Sequence, residues 1–166
     1  MQKITPFLWF DRNAEEAANF YVSVFKDAPG ARGESKIGRT TRYGKEGFEV
    51  HKMPEGTVMV IDFMLAGDNF AAINGGPVFT FNAGISFVIN CESQEEVDYF
   101  WNKLTESGDP KAQQCGWLKD RFGLSWQVVP TALPKLLADK DKAKAGRVMN
   151  AMLQMKKIDI KKLEEA

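Results

Sequence analysis

Asn13-Ala14-Glu15-Glu16-Ala17-Ala18-Asn19-Phe20-Tyr21 returns, eighty residues further on, as Ser93-Gln94-Glu95-Glu96-Val97-Asp98-Tyr99-Phe100-Trp101. Each stretch opens on a small polar residue with a glutamate three positions later, the pairing that satisfies exposed amides at a helix start. Apolar residues then recur at helical spacing: Ala17, Phe20, Tyr21 and Val24 in the first copy, Val97, Phe100, Trp101 and Leu104 in the second. Before each helix lies an apolar run too short to be helical, Ile4 to Phe10 and Ile85 to Asn90, and each reads as a strand. Phe7 falls opposite Phe87 at the same offset. Cap, glutamates, aromatic pair and strand repeat together, which predicts a duplicated strand-plus-helix module.

Outward from these units the chain supplies more strands. Glu34 to Tyr43 is polar and glycine-interrupted, a partly exposed strand. Gly44 to Gly56 is a loop or hairpin holding the single histidine, His51. Val58 to Leu65 is a clear strand, Gly67-Asp68 a hairpin turn signal, and Phe70 to Ile73 the returning partner. Asn74-Gly75-Gly76-Pro77 forces irregular backbone. After the second helix, Gln114 to Lys119 and Leu124 to Val129 read as strands joined around Asp120-Arg121-Phe122-Gly123, and Pro130 ends the sheet. The expected class is α+β. Residues 1–133 form two tandem β-α-β-β-β modules, about 1–76 and 83–133, with curved mixed sheets. Residues 134–166 form an amphipathic helical tail, with Leu133, Leu136, Leu137, Val148, Met149, Met152, Leu153 and Met155 on its apolar side and Asp159 capping a last short helix. The tail is expected to cover the sheet or a partner subunit.

Composition removes several function classes. Lys plus Arg and Asp plus Glu are 22 each in 166 residues, so no basic footprint for nucleic acid or an anionic membrane exists. No apolar run approaches the roughly 18 residues of a membrane span, and Met1 to Pro6 carries no secretory signal pattern. Cys91 and Cys115 form neither a C-x-x-C pair nor a disulfide framework, which fits reduced thiols in the cytoplasm.

The chain resembles the vicinal-oxygen-chelate superfamily of glyoxalase, bleomycin-resistance and dioxygenase proteins, and within it the PhnB-like branch often labelled 3-demethylubiquinone-9 3-methyltransferase. The resemblance rests on Ile4-Thr5-Pro6-Phe7-Leu8-Trp9-Phe10, Asn74-Gly75-Gly76-Pro77 with Phe79 and Phe81, Asn90-Cys91-Glu92, Gln114-Cys115-Gly116-Trp117-Leu118-Lys119-Asp120 and Phe122-Gly123-Leu124-Ser125-Trp126-Gln127. It implies the glyoxalase-like fold, two modules cupped around a small-molecule cavity, and a homodimer. Superfamily enzymes such as glyoxalase I hold a divalent ion with His and Glu from both modules. The positions matching those ligands fall here at Pro6, Ser86, Ala72 (with Asn74 nearby) and Gln127, so no metal and no other cofactor is expected.

Strand parity assigns the remaining cavity residues. Pro6, Leu8 and Phe10 are expected to face the cavity from the first strand, Ser86, Val88 and Asn90 from its counterpart, and Ser125, Gln127 and Val129 from the last. Phe7, Trp9, Phe87 and Ile89 are then core. The ligand-binding set is Phe10, Asn74, Ser86, Asn90, Trp117, Ser125 and Gln127, an apolar pocket with a few amides and hydroxyls. Trp117 either stacks on a ligand or packs in a core or interface. The weak catalytic candidates are Asp62, a carboxylate inside an apolar strand, and His51 if its loop folds over the cavity. Each has a plainer alternative as a solvated charge or an exposed loop side chain. The expected function is binding of a small molecule, with or without its transformation. Methyl transfer, as the family label states, and drug sequestration are the alternatives. A methyltransferase would need a glycine-rich cofactor turn, and Gly75-Gly76 is followed instead by Pro77 and a Phe-rich extended stretch.

Overall fold

The computed structural model describes residues 2–166 and divides them into two compact units, one ending at Phe81 and the other beginning at Asn82. The first contains β1 (Phe7–Phe10), α1 (Ala14–Lys26), β2 (Lys36–Arg42), the one-turn α2 (Phe48–His51), β3 (Val58–Leu65) and β4 (Asp68–Asn74). Its sheet runs β1-β4-β3-β2, with β1 parallel to β4 and the other pairs antiparallel. The β3–β4 hairpin closes at Ala66-Gly67, both with positive φ, one residue before the sequence signal. Glycine takes that backbone without cost, and this two-residue loop suits the twist of the flanking strands.

One face of this sheet lies under α1. Tyr21 is fully buried there and its ring stacks on Phe63 at 6.4 Å. Phe63 in turn stacks on Phe70 at 5.4 Å, and Ile61, Ala72 and Leu65 complete the buried side.

The second unit holds β5 (Phe87–Cys91), α3 (Gln94–Thr105), β6 (Trp117–Lys119) and β7 (Ser125–Pro130), followed by α4 (Ala132–Leu137), α5 (Lys142–Leu153) and α6 (Ile160–Glu164). Its sheet runs β5-β7-β6, again with the first strand parallel to the last. Here the sheet has three strands where the first has four. The segment that would supply the fourth carries Pro110, which has no amide hydrogen to donate, and forms a single 3₁₀ turn over Pro110–Ala112. It still covers the edge of β6 at two points: the Asp109 amide donates to the Lys119 carbonyl, and Gln114 bridges Trp117. Ile89, Leu118, Trp126 and Val128 form the buried side of the sheet, together with Val97, Phe100, Trp101 and Leu104 of α3.

The C-terminal helices build a core of their own from Leu133, Val148, Ile158 and Leu163, with Val129 packed against it. The apolar stripe expected along one helix is therefore divided. Val148 turns inward, while Met149 and Leu153 stay exposed. Asp159 caps α6 by accepting from the Lys162 amide at 3.1 Å. No helix among the described residues is long and apolar enough to cross a membrane.

Candidate functional site

The two strand-to-helix units differ by one residue, and that residue decides which side chains are available. Ser93 caps α3, its hydroxyl accepting from the Glu96 amide at 3.2 Å, while the Glu96 carboxylate accepts from the Glu92 amide at 2.6 Å. Asn13 occupies the matching position but its side chain makes no cap bond. The Asn74 Oδ1 does so instead, accepting from the Ala14 amide at 2.8 Å. Two residues separate β1 from Asn13, whereas Glu92 alone separates β5 from Ser93. The helices therefore repeat at an offset of 80 and the strands at 81, so Leu8 and Phe10 correspond to Ile89 and Cys91.

A shift of one residue turns a strand over. The first-strand assignment is corrected accordingly. Leu8 and Phe10 lie on the helix-covered face, Phe10 only 4% exposed, while Phe7 is 57% exposed. Trp9 shares the open face with Phe7, its ring edge-on to Phe79 at 5.0 Å and its Nε1 donating to the Gly76 carbonyl at 2.9 Å. Asn74 also belongs to the covered side, in register with Phe10. Its Nδ2 donates to the Val58 carbonyl at 2.9 Å, so both ends of the amide are used inside the fold.

The second sheet keeps the parity read from the sequence. Val88, Gln127 and Trp117 form one cross-strand row on the face opposite the buried side chains, with Asn90 opposite Val129 in the next row and Ser125 opposite Lys119 in the row before. Gln127 Nε2 donates to Ser86 Oγ at 2.9 Å. Ser86, Asn90, Trp117, Ser125 and Gln127 are thus brought to one face, and Phe10 and Asn74 are not. Val88 stands half-exposed among them, and Lys119 is a member that the sequence reading missed. Its place follows from the alternation of a three-residue strand too short to show a pattern.

Asp62 and His51 lie in the first unit. Asp62 projects from the open face and pairs with Arg39 at 3.4 Å. His51 is held in place: Nδ1 accepts from the Met53 amide at 3.0 Å, Nε2 lies 3.0 Å from the Glu46 carbonyl, and the ring lies 4.4 Å from that of Tyr43. With Nδ1 accepting, Nε2 carries the proton and donates. Both nitrogens serve the loop. Burial and the Glu96 carboxylate push the Cys91 thiol up to about 12, so it stays protonated at neutral pH. Cys115 is only half-buried.

With the strand offset corrected, the positions matching metal ligands are Thr5 and Ala71 in the first unit and Ser86 and Gln127 in the second. Two hydroxyls, one methyl and one amide carry no charge, while a catalytic divalent ion is held by imidazole and carboxylate. These residues do not fit it. Among the described residues, no three His, Cys, Asp or Glu side chains come together to hold an ion.

Two sheets, each with its first strand parallel to its last and a helix following the first strand, define the glyoxalase-like class. The chain belongs to the PhnB-like family described as 3-demethylubiquinone-9 3-methyltransferase, whose model matches residues 2–129. It is similar to a PhnB protein from Bacillus cereus for which that methyltransferase role has been suggested, with 36% identity over 78% of this chain and 100% of that one, and a TM-score of 0.63. A protein from Pseudomonas aeruginosa, PA1353, has the same fold at 21% identity and TM-score 0.56, covering 78% of this chain and 98% of its own. No curated protein matches significantly.

Proposed function

We propose that the protein binds a small, partly aromatic molecule against the open face of the second sheet without a metal ion, and that it acts as a homodimer in the cytoplasm. The observation that carries this reading is the Gln127–Ser86 hydrogen bond beside Trp117. Holding Nε2 on the serine fixes the amide and leaves Gln127 Oε1 to accept from a ligand hydroxyl. Trp117 offers an aromatic face at the neighbouring position, with Asn90 as a further polar point, while Ser125 lies on the same side but is only 2% exposed. None of these groups titrates near neutral pH, which favours binding over acid–base chemistry. The unpaired thiols suit a reducing compartment, and recovery from a membrane or periplasmic fraction would refute the cytoplasmic placement.

The family description supplies the first compound to try, a 3-demethylubiquinone with a shortened side chain, whose ring hydroxyl and planar conjugated ring match these groups. Titration should quench tryptophan fluorescence saturably. Gln127→Leu should weaken binding about tenfold, near 1.4 kcal/mol, and Trp117→Leu should remove most of the quenching. Absence of saturable quenching, or a Gln127→Leu variant binding like wild type, would defeat the reading. Adding S-adenosylmethionine separates the alternative, since a methylated product would make the protein the enzyme its family is described as.

A further inference from the structure

We infer that the C-terminal tail is a clamp on the ligand face of the second sheet: docked against the turn that opens β6, it holds Trp117 in its row beside Gln127, and its docking sets the affinity of that face. This role rests on the second-sheet reading above and adds control by the tail to it. The tail lies beyond residue 129, where the family match ends, and every part concerned belongs to the second unit.

Trp117 is delivered by the tight turn Gln114-Cys115-Gly116-Trp117. The Trp117 amide donates to the Gln114 carbonyl at 2.8 Å, and the Gln114 amide to the Trp117 carbonyl at 3.1 Å. Both central residues take positive φ, 51° at Cys115 and 84° at Gly116. That backbone suits glycine but strains an L-residue such as cysteine, and strain persists only where the surroundings hold it. The sheet holds one side, the Gly116 carbonyl accepting from the Val128 amide at 2.8 Å. The tail holds the other. The Cys115 amide donates to the Met155 carbonyl at 2.8 Å and the Gly116 amide to the Lys156 carbonyl at 2.7 Å. Gln114 Nε2 donates to the Leu153 carbonyl at 2.9 Å. Ile158 closes over the turn, since a Cβ on Gly116 would lie 3.2 Å from its Cγ1. Val129, next beyond Gln127 on the open face, packs into the tail's own core. The tail is tied down in turn on α3, on the covered side of the sheet, by two Gln94 hydrogen bonds and the Lys157–Asp98 pair. A tail released from these anchors would take its carbonyls from the two turn amides, and the strained turn would relax and carry Trp117 out of its row. Coupling between sites is reciprocal, so a ligand held by Trp117 tightens the tail.

The test loosens the tail from its far side in the isotopically labelled full chain. Gln94→Ala removes both anchoring bonds on α3. Lys157→Ala removes only the ion pair and serves should Gln94→Ala fail to fold. The chain has four tryptophans and so four indole N–H signals, and Trp117→Leu identifies the one that matters. Either loosened variant should shift the Trp117 indole signal, while that of Trp126, fixed by Asp120 in the same unit, stays in place. A merely destabilised unit would move neither or both. With the shortened 3-demethylubiquinone as probe, the same variant should bind about fivefold more weakly, and saturating probe should slow hydrogen exchange of the wild-type Ile160 amide by about the same factor. A Trp117 signal unmoved in both variants, equal shifts at Trp117 and Trp126, or loosened variants binding like a wild type that binds the probe would overturn the clamp. Wild type that binds no probe would defeat the second-sheet reading, and the clamp on Trp117 would then stand or fall on the indole signals alone.

Discussion

The Asn74 side chain joins three segments at one buried point, where it is 2% exposed. Its carbonyl oxygen accepts from the first amide of α1, and its nitrogen donates to the carbonyl that opens β3. Its own backbone carbonyl accepts from the Tyr43 hydroxyl at 2.7 Å. Truncation would leave one amide and one carbonyl unsatisfied in a dry place, and a buried group left so costs about 1–3 kcal/mol. Asn74→Ala should therefore lower stability by about 2–4 kcal/mol in urea unfolding, with little change in the slope. A loss below about 0.5 kcal/mol would mean that water reaches both groups. Asp120 plays the corresponding part in the second unit, accepting from the Phe122 and Leu124 amides and from Trp126 Nε1. In the sequence both residues read as features of loops or pockets. A local pattern shows that a polar residue stands at the end of a strand, but not which distant amide it will meet.

At the scale of elements, the helices were legible and the faces only half so. Caps and aromatic stripes at an offset of 80 located α1 and α3, because helix signals are local. Strand parity depends on counting, and the one extra residue in the first strand-to-helix link inverted β1 while leaving β5 correct. The second module was expected to carry as many strands as the first, but a 3₁₀ turn at Pro110–Ala112 stands where its fourth strand would lie. The helical tail was legible as helices but not in its attachment. Gln94 Oε1 accepts from the Ile160 amide, and its Nε2 donates to the Ile158 carbonyl. Lys157 meets Asp98 at 2.7 Å. The hydrogen bond from Lys157 is the main reason the Asp98 carboxyl is held below its usual range, with Gln94 assisting. A carboxylate with a lowered folded-state value contributes stability above its ordinary titration range, and that contribution is lost as pH falls through the lowered value. Wild type should therefore be more stable than Asp98→Asn near neutral pH, and the gap should close as the pH falls below the ordinary aspartate value of about 3.9 and through the lowered one. The unfolding midpoints of the two proteins across that range provide the check. A gap of constant size would show that charge pairing does not anchor the tail.

For the whole molecule, the telling quantity is the apolar surface that each unit leaves uncovered. Phe7, Val78 and Phe79 are exposed in the first unit, with the Trp9 ring against Phe79; Ile85 and Val88 are exposed in the second. Isolated exposed hydrophobics are ordinary, whereas apolar groups gathered on one sheet face call for a partner. The tail, read from sequence as a cover for the sheet or a partner subunit, satisfies most of its own stripe in the cluster of Leu133, Val148, Ile158 and Leu163. Association is therefore expected through the sheet faces and the segment between β4 and β5. Light scattering on the full chain should give about twice 18.6 kDa, and Phe7→Ser combined with Phe79→Ser should shift it toward the single-chain mass while the helical and sheet signals persist. Both substitutions fall on exposed side chains, so unfolding would not account for such a shift. A wild-type mass of one chain at tens of micromolar would refute the dimer. A dimer indifferent to the double substitution would move the interface to another surface, with Met149 and Leu153 of α5 the next exposed pair to test.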